Sequence, residues 1–250
     1  MHTTHIWYKF DLHWRKIAKL ILITSLFLVS VSALGQRRVL VNNPDYDDRF
    51  LSYGFLIGIH TSGYQIKFSE AFVTPDLDTV QSIQPMQRAG FALGFIANFR
   101  MAEYLDLRVT PQVAFYEYTL DYNLINSPVT PISQLVDQTT VEFPILAKYK
   151  SVRRGNVGMY FVGGVKPGFE ASGKNDIVDE DPDNSIQIIK GNFSIDFGVG
   201  FDLYFPLFKF SPEIRFSKGM RNVLAPQAND FSVGIDRLNT NTFTLYLLFQ

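Results

Sequence analysis

The stretch FSIDFGVGFDLYF, Phe193 to Phe205, sets Phe, Ile, Phe, Val, Phe, Leu and Phe at its odd positions and Ser, Asp, Gly, Gly, Asp and Tyr at its even ones. A period of two belongs to a β-strand with two unlike faces, because successive side chains point to opposite sides of a sheet. A tight turn centred on Pro206 and Leu207 then sets Gly200 opposite Glu213 and Gly198 opposite Arg215, with Asp196 diagonal to Arg215. Small residues stand beside large charged ones on the even face. That arrangement suits the inside of a barrel of about eight strands, whose interior is only wide enough for side chains. Seven large apolar groups on the odd face would overfill such a lumen. Turned outward they meet lipid, and about thirteen residues rising roughly 3.3 Å each, tilted near 40°, cover an apolar band of about 25 Å.

The same sorting recurs along the chain. Phe91, Leu93, Phe95, Ala97 and Phe99 alternate with Gly90, Ala92, Gly94, Ile96 and Asn98. Val141, Phe143, Ile145 and Tyr149 oppose Glu142, Leu146, Lys148 and Lys150, and in the last strand Phe243, Leu245, Leu247 and Phe249 oppose Thr242, Thr244, Tyr246 and Leu248. Strands are predicted at 51–68, 87–100, 105–120, 140–150, 157–169, 192–205, 208–218 and 241–250. No segment after residue 35 carries a 3.6-residue apolar period, so the fold class is all-β. The connections 101–104, 151–156 and 206–207 are short, whereas 69–86, 121–139, 170–191 and 219–240 are long. Short turns at one rim and long loops at the other, around an even number of strands, predict an eight-stranded antiparallel transmembrane β-barrel of the outer membrane, with both termini periplasmic. Pro111, Pro144, Pro167 and Pro212 run against this, because proline cannot donate to a ladder and has to sit at a bulge or near a rim.

The beginning of the chain predicts export. Lys9, Arg15, Lys16 and Lys19 precede the uncharged run LILITSLFLVSVSAL, Leu20 to Leu34, which is shorter than the roughly 20 residues that span a bilayer as a helix. Ala33 and Gly35 supply the small residues of a cleavage site, giving a signal peptide over 1–35, with an uncleaved anchor as the alternative. Residues 36–50, polar and rich in turn formers, are a periplasmic lead-in, and 51–250 form the barrel. Loss of 1–35 takes the chain from 23 basic and 24 acidic residues to 19 and 23. This mild acidity lacks the basic footprint of a nucleic-acid binder. The chain has no cysteine, which excludes disulfides, zinc-thiolate sites and a cysteine nucleophile.

Candidate sites are few. After loss of the leader, His60 is the one remaining histidine, and with no partner motif around it a hydrogen-bonded wall residue is a better reading than a general base. Asp179, Asp181 and Asp183 have the first spacings of a calcium loop, but Asn184 stands where glycine is needed and Lys190 where a bidentate glutamate is needed, so 176–183 reads as a solvated loop. Arg108, Glu142, Lys148, Asp196, Asp202, Glu213 and Arg215 all fall on the inward parity. Their expected role is a salt-bridged filling of the lumen, with a conducting path as the sharper alternative. No catalytic residue, cofactor, metal or small-molecule substrate is indicated.

Three stretches, NPDYDDRFLSYGFLIGIH (43–60), VEFPILAKYKSVRRGNVGMYFVGGVKPGFEAS (141–172) and PEIRFSKGMRNVL (212–224), resemble the PorT family, an outer-membrane barrel component of type IX secretion in Bacteroidota that is also linked to gliding motility. With the barrel pattern between them the resemblance covers nearly the whole chain after the leader, and Pro144 and Pro212 lie inside it. The resemblance implies a non-enzymatic role in assembly or operation of the export machinery, with outer-membrane lipid and other secretion components as partners. A general small porin or adhesion barrel is the alternative, and a lipid-modifying barrel enzyme stands behind both.

Overall fold

The computed structural model describes residues 41–69, 80–124, 132–171, 188–225 and 234–250. The expected leader with its cleavage site, and the acidic stretch 176–183, lie outside these residues. Among them are β1 (Leu51–Phe68), β2 (Val80–Met86), β3 (Arg88–Arg100), β4 (Leu105–Val109), β5 (Gln112–Leu124), β6 (Ile132–Glu142), β7 (Ile145–Lys150), β8 (Val157–Glu170), β9 (Gly191–Tyr204), β10 (Lys209–Gly219) and β11 (Ile235–Phe249). Every ladder is antiparallel. Breaks at Gln87, Pro111 and Pro144 divide three walls of the sheet, so the strands fill eight places: β1, β2 with β3, β4 with β5, β6 with β7, β8, β9, β10 and β11. Pairing of β11 with β1 closes the ring. Closure leaves no edge strand, which is the condition for crossing hydrocarbon with strands.

The prolines form a seam across neighbouring strands. Pro111, Pro144 and Pro167 accept at their carbonyls from the backbone N–H groups of Phe95, Thr110 and Phe143, at 2.9, 3.0 and 2.9 Å. Each proline therefore sits at an interruption of the ladder where its missing donor is not demanded, and the wall is stitched through its acceptor. Pro212 lies where β9–β10 pairing is interrupted, without a change of register, between Phe210 and Glu213.

The long loops are corrected. The ladders of β2, β5, β6 and β11 run on to Val80, Leu124, Ile132 and Ile235, so the connections at that rim are 69–79, 125–131, 171–190 and 220–234. Hydropathy alternation stops where apolar surroundings stop, but backbone pairing continues with Gln, Asn, Thr and Tyr beyond that level. We call this rim the loop end. The opposite rim, the turn end, carries 101–104, 151–156, 205–208 and the two chain segments Val41–Phe50 and Gln250.

The outer face is apolar and open. Phe193, Phe197 and Phe201 of the deciding stretch are exposed, Phe197 by 60%, whereas Ser194, Asp196 and Asp202 are buried. The inferred hairpin register holds: Gly200 pairs with Glu213 and Gly198 with Arg215.

Candidate functional site

Within the lumen, glycine makes room for several inward aromatic and imidazole rings. A Cβ at Gly200 would lie 2.5 Å from the Tyr160 hydroxyl, one at Gly58 would lie 2.7 Å from the Tyr246 ring, and one at Gly90 would lie 2.4 Å from the His60 ring. The strand pairs set these partners directly opposite one another. Charged side chains fill the rest of the lumen.

Arg108 of β4 donates to Glu213 of β10 at 2.7 Å, with both side chains fully buried. These strands are four places apart on a ring of eight, so the pair crosses the lumen from wall to opposite wall. Glu213 also accepts from Tyr160 at 2.8 Å and from Arg215. Arg215 lies 3.7 Å from Asp196 and stacks on Tyr246, its guanidinium carbon 4.3 Å from the ring centre. Toward the turn end, Lys148 pairs with Asp202 at 2.6 Å and Ser211 donates to the other oxygen of that carboxylate at 2.6 Å. Toward the loop end, Glu142 binds Lys166 at 3.2 Å and accepts from Gln112 and Tyr116 at 2.6 and 2.8 Å.

All seven charged residues expected on the inner face are buried there. Sequence reasoning placed Tyr246 on the inner face but missed Asp106, Lys166 and Lys209, together with Gln112, Tyr116 and Tyr160. Parity alone would have reached several of them: Lys166 falls in step with Gly164 and Gly168, and Asp106 with Arg108. Among the described residues the buried ions are Arg108, Lys148, Lys166, Lys209 and Arg215 against Asp106, Glu142, Asp196, Asp202 and Glu213, five of each sign. Buried charge is costly unless paired, and this lumen carries no excess to attract an ion of either sign. His60 is also buried, its ring 4.4 Å from that of Tyr116.

Both mouths are covered. At the turn end, the lead-in makes a short 3-10 turn, Tyr46–Asp48, and tucks Tyr46 edge-on against Tyr204 at 5.9 Å, with the Lys209 amine 4.5 Å above the Tyr46 ring. Burial raises the Tyr46 phenol above its ordinary pKa. Arg153 of the β7–β8 turn holds this segment: its guanidinium donates to the carbonyls of Asn42 and Asn43 and stacks on Tyr204 at 3.7 Å. Asp47 accepts from Tyr204 at 2.6 Å, and Asp48 pairs with Arg100 at 2.6 Å. A cleft of about 500 Å³ remains between the lead-in and the turns, lined in part by Asp47, Glu103, Lys150 and Arg153. At the loop end, Val223 is 2% exposed and packs with Leu238, Tyr118 and Tyr122, held by backbone bonds from Ile189 and to Leu238, each 2.9 Å.

A family model described as outer membrane protein beta-barrel domain matches residues 36–225. Solved structures similar to this chain include the outer membrane protein OprG from Pseudomonas aeruginosa, with TM-score 0.39 and 11% identity over 78% of this chain and 92% of that one. Neisserial surface protein A has TM-score 0.37 and 14% identity over 80% and 98%. The attachment invasion locus protein Ail of Yersinia pestis has TM-score 0.33 and 12% identity over 79% and 96%. No curated protein sequence matches the chain.

Proposed function

The chain belongs to the outer membrane protein β-barrel domain family, and from that premise we propose that it is a non-conducting barrel that serves type IX protein secretion by binding other export components. The observation that carries the non-conducting part is the Arg108–Glu213 pair, buried at 2.7 Å between opposite walls. A porin needs an open lumen, and small barrels fill theirs with side chains. The secretion part rests on the resemblance of 43–60, 141–172 and 212–224 to the PorT family. In this reading the leader is cut after Gly35, the turn end with both termini faces the periplasm, and the loop end faces outward. A barrel without a path or a catalytic centre acts through its surfaces, here the lead-in, the short turns and the outer loops.

Deletion of the gene tests this directly. The expected result is intact uptake of small solutes together with type IX cargo stranded inside the cell. Normal cargo export in the deletion strain, with stable single channels from the purified protein in planar bilayers, would replace the secretion reading with the porin one.

A further inference from the structure

Toward the loop end the outer wall carries a basic region among the described residues. On β10 the outward series runs Ile214, Phe216, Lys218, and on β11 it runs Phe243, Asn241, Asn239, Arg237 toward the loop end. On β1 the matching outward positions are Thr61, Gly63, Gln65 and Lys67. The registers Lys218 to Asn241, Gly63 to Asn241, Gln65 to Asn239 and Lys67 to Arg237 put these residues on one continuous patch just past Phe216 and Phe243. Arg221, two residues past the end of β10, extends the basic region onto the neighbouring β9, lying over Gly191, where a Cβ would come within 3.1 Å of its guanidinium.

Charge in the patch is one-sided. Asp236 is its single acid among the described residues, and Lys67 already holds that carboxylate at 2.8 Å. Lys218 and Arg221 make no ion pair among the described residues. The opposite wall differs: beyond Phe115 the outward positions of β5 and β6 include Glu117, Asp121 and Asp137. The basic patch is thus a local feature and not a belt around the rim.

A groove of about 190 Å³ opens beside it in the wall. Its floor is Gly63, Phe216 and Phe243 stand on one side and Pro85 and Gln87 on the other, and the Asn241 side-chain oxygen there has no hydrogen-bond partner among the described residues. Aromatic walls next to a slot without a side chain suit an acyl chain, and cations farther toward the rim, Lys218 one outward position past Phe216 and Arg237 three past Phe243, suit a phosphate.

We propose that the β10–β11–β1 face binds an anionic, phosphate-bearing lipid of the leaflet at the loop end, its acyl portion along the groove at Gly63 and its phosphate against Lys218, Arg221 and Arg237. Headgroup phosphate is the source to which the geometry points, because the groove and the cations are contiguous on the lipid-facing wall. Each Lys or Arg beside an anionic membrane surface contributes about a fivefold preference, so three contribute on the order of a hundredfold.

The test uses the full barrel in nanodiscs of phosphatidylcholine with phosphatidylglycerol, released into the gas phase for native mass spectrometry. The wild type is expected to retain phosphatidylglycerol selectively. The triple variant Lys218→Gln, Arg221→Gln, Arg237→Gln is expected to lose that selectivity, with an unchanged heat-dependent gel shift showing that the barrel still folds. Gly63→Val, whose added Cβ meets only ordinary contacts beginning at 3.4 Å from Gln87, fills the groove and is expected to lower the number of retained lipids. Equal retention of the two lipids by the wild type, or undiminished selectivity in the folded triple variant, would overturn the proposal. So would selectivity abolished by inorganic phosphate with lipid retention unchanged, since the site would then be one for the free anion.

Discussion

At Glu213 a single carboxylate holds Arg108, Arg215 and the Tyr160 hydroxyl. We predict that Glu213→Gln destabilises the barrel by about 3–5 kcal/mol, because it leaves the buried Arg108 without its carboxylate and Arg215 with only the more distant Asp196. The exposed pair Lys67–Asp236 is the control, and Lys67→Gln should cost no more than about 1 kcal/mol. Urea unfolding in lipid vesicles measures both, and equal effects would mean that the buried network is not a stabilising filling. The outer face makes the reverse prediction. Phe197, 60% exposed and midway along β9, should become a site of about 2–4 kcal/mol destabilisation in Phe197→Arg. A variant that folds into vesicles as stably as the wild type would reverse the assignment of faces. These residues were legible because parity in a strand is strict: once Phe197 faces out, Asp196 and Gly198 face in. Lys166 was within reach of the same parity, in step with Gly164 and Gly168 along an unbroken β8, whereas Lys209 opens β10 directly after the 205–208 turn, where parity has to be restarted.

At the level of elements, the apolar halves of the strands were legible and their polar extensions were not. The span of β5 from Asp121 to Leu124 and the start of β6 pair outside the apolar zone, where no contrast between faces marks them. Proline was misleading for a related reason: a sequence shows that Pro111, Pro144 and Pro167 lack donors, but not that they line up so that each supplies an acceptor. The lead-in is a third case, since turn formers in 36–50 gave no sign that Tyr46 inserts beneath Tyr204. Its clasp is testable. Arg153 donates to two lead-in carbonyls, and charged hydrogen bonds of this kind contribute about 1.5–3 kcal/mol. We predict that Arg153→Ala raises amide exchange at residues 42–48 by roughly 10- to 100-fold while exchange in β8 and β9 stays unchanged. Unaltered exchange at 42–48 would show that Asp48–Arg100 and the Tyr46 contacts hold the segment without the clasp.

For the whole molecule, the question is which feature closes the path. The lead-in covers one mouth and Val223 the other, but the Arg108–Glu213 pair occupies the axis between them. If the lead-in were the plug, its removal would create a pore; if the axis is the plug, removal changes only a surface. Eight strands give a lumen that side chains fill, and among the described residues ten buried ions of balanced sign fill it together with Tyr116, Tyr160 and Tyr246. We therefore predict that a barrel lacking residues 36–50 inserts into planar bilayers without measurable conductance, and that in cells it retains its place in the membrane while type IX cargo export falls. The two readouts separate two roles for one segment. Stable channels from the truncated barrel would assign the lead-in to gating and restore the porin reading, whereas full export without it would move the docking surface to the turns at Met101–Tyr104 and Ser151–Asn156.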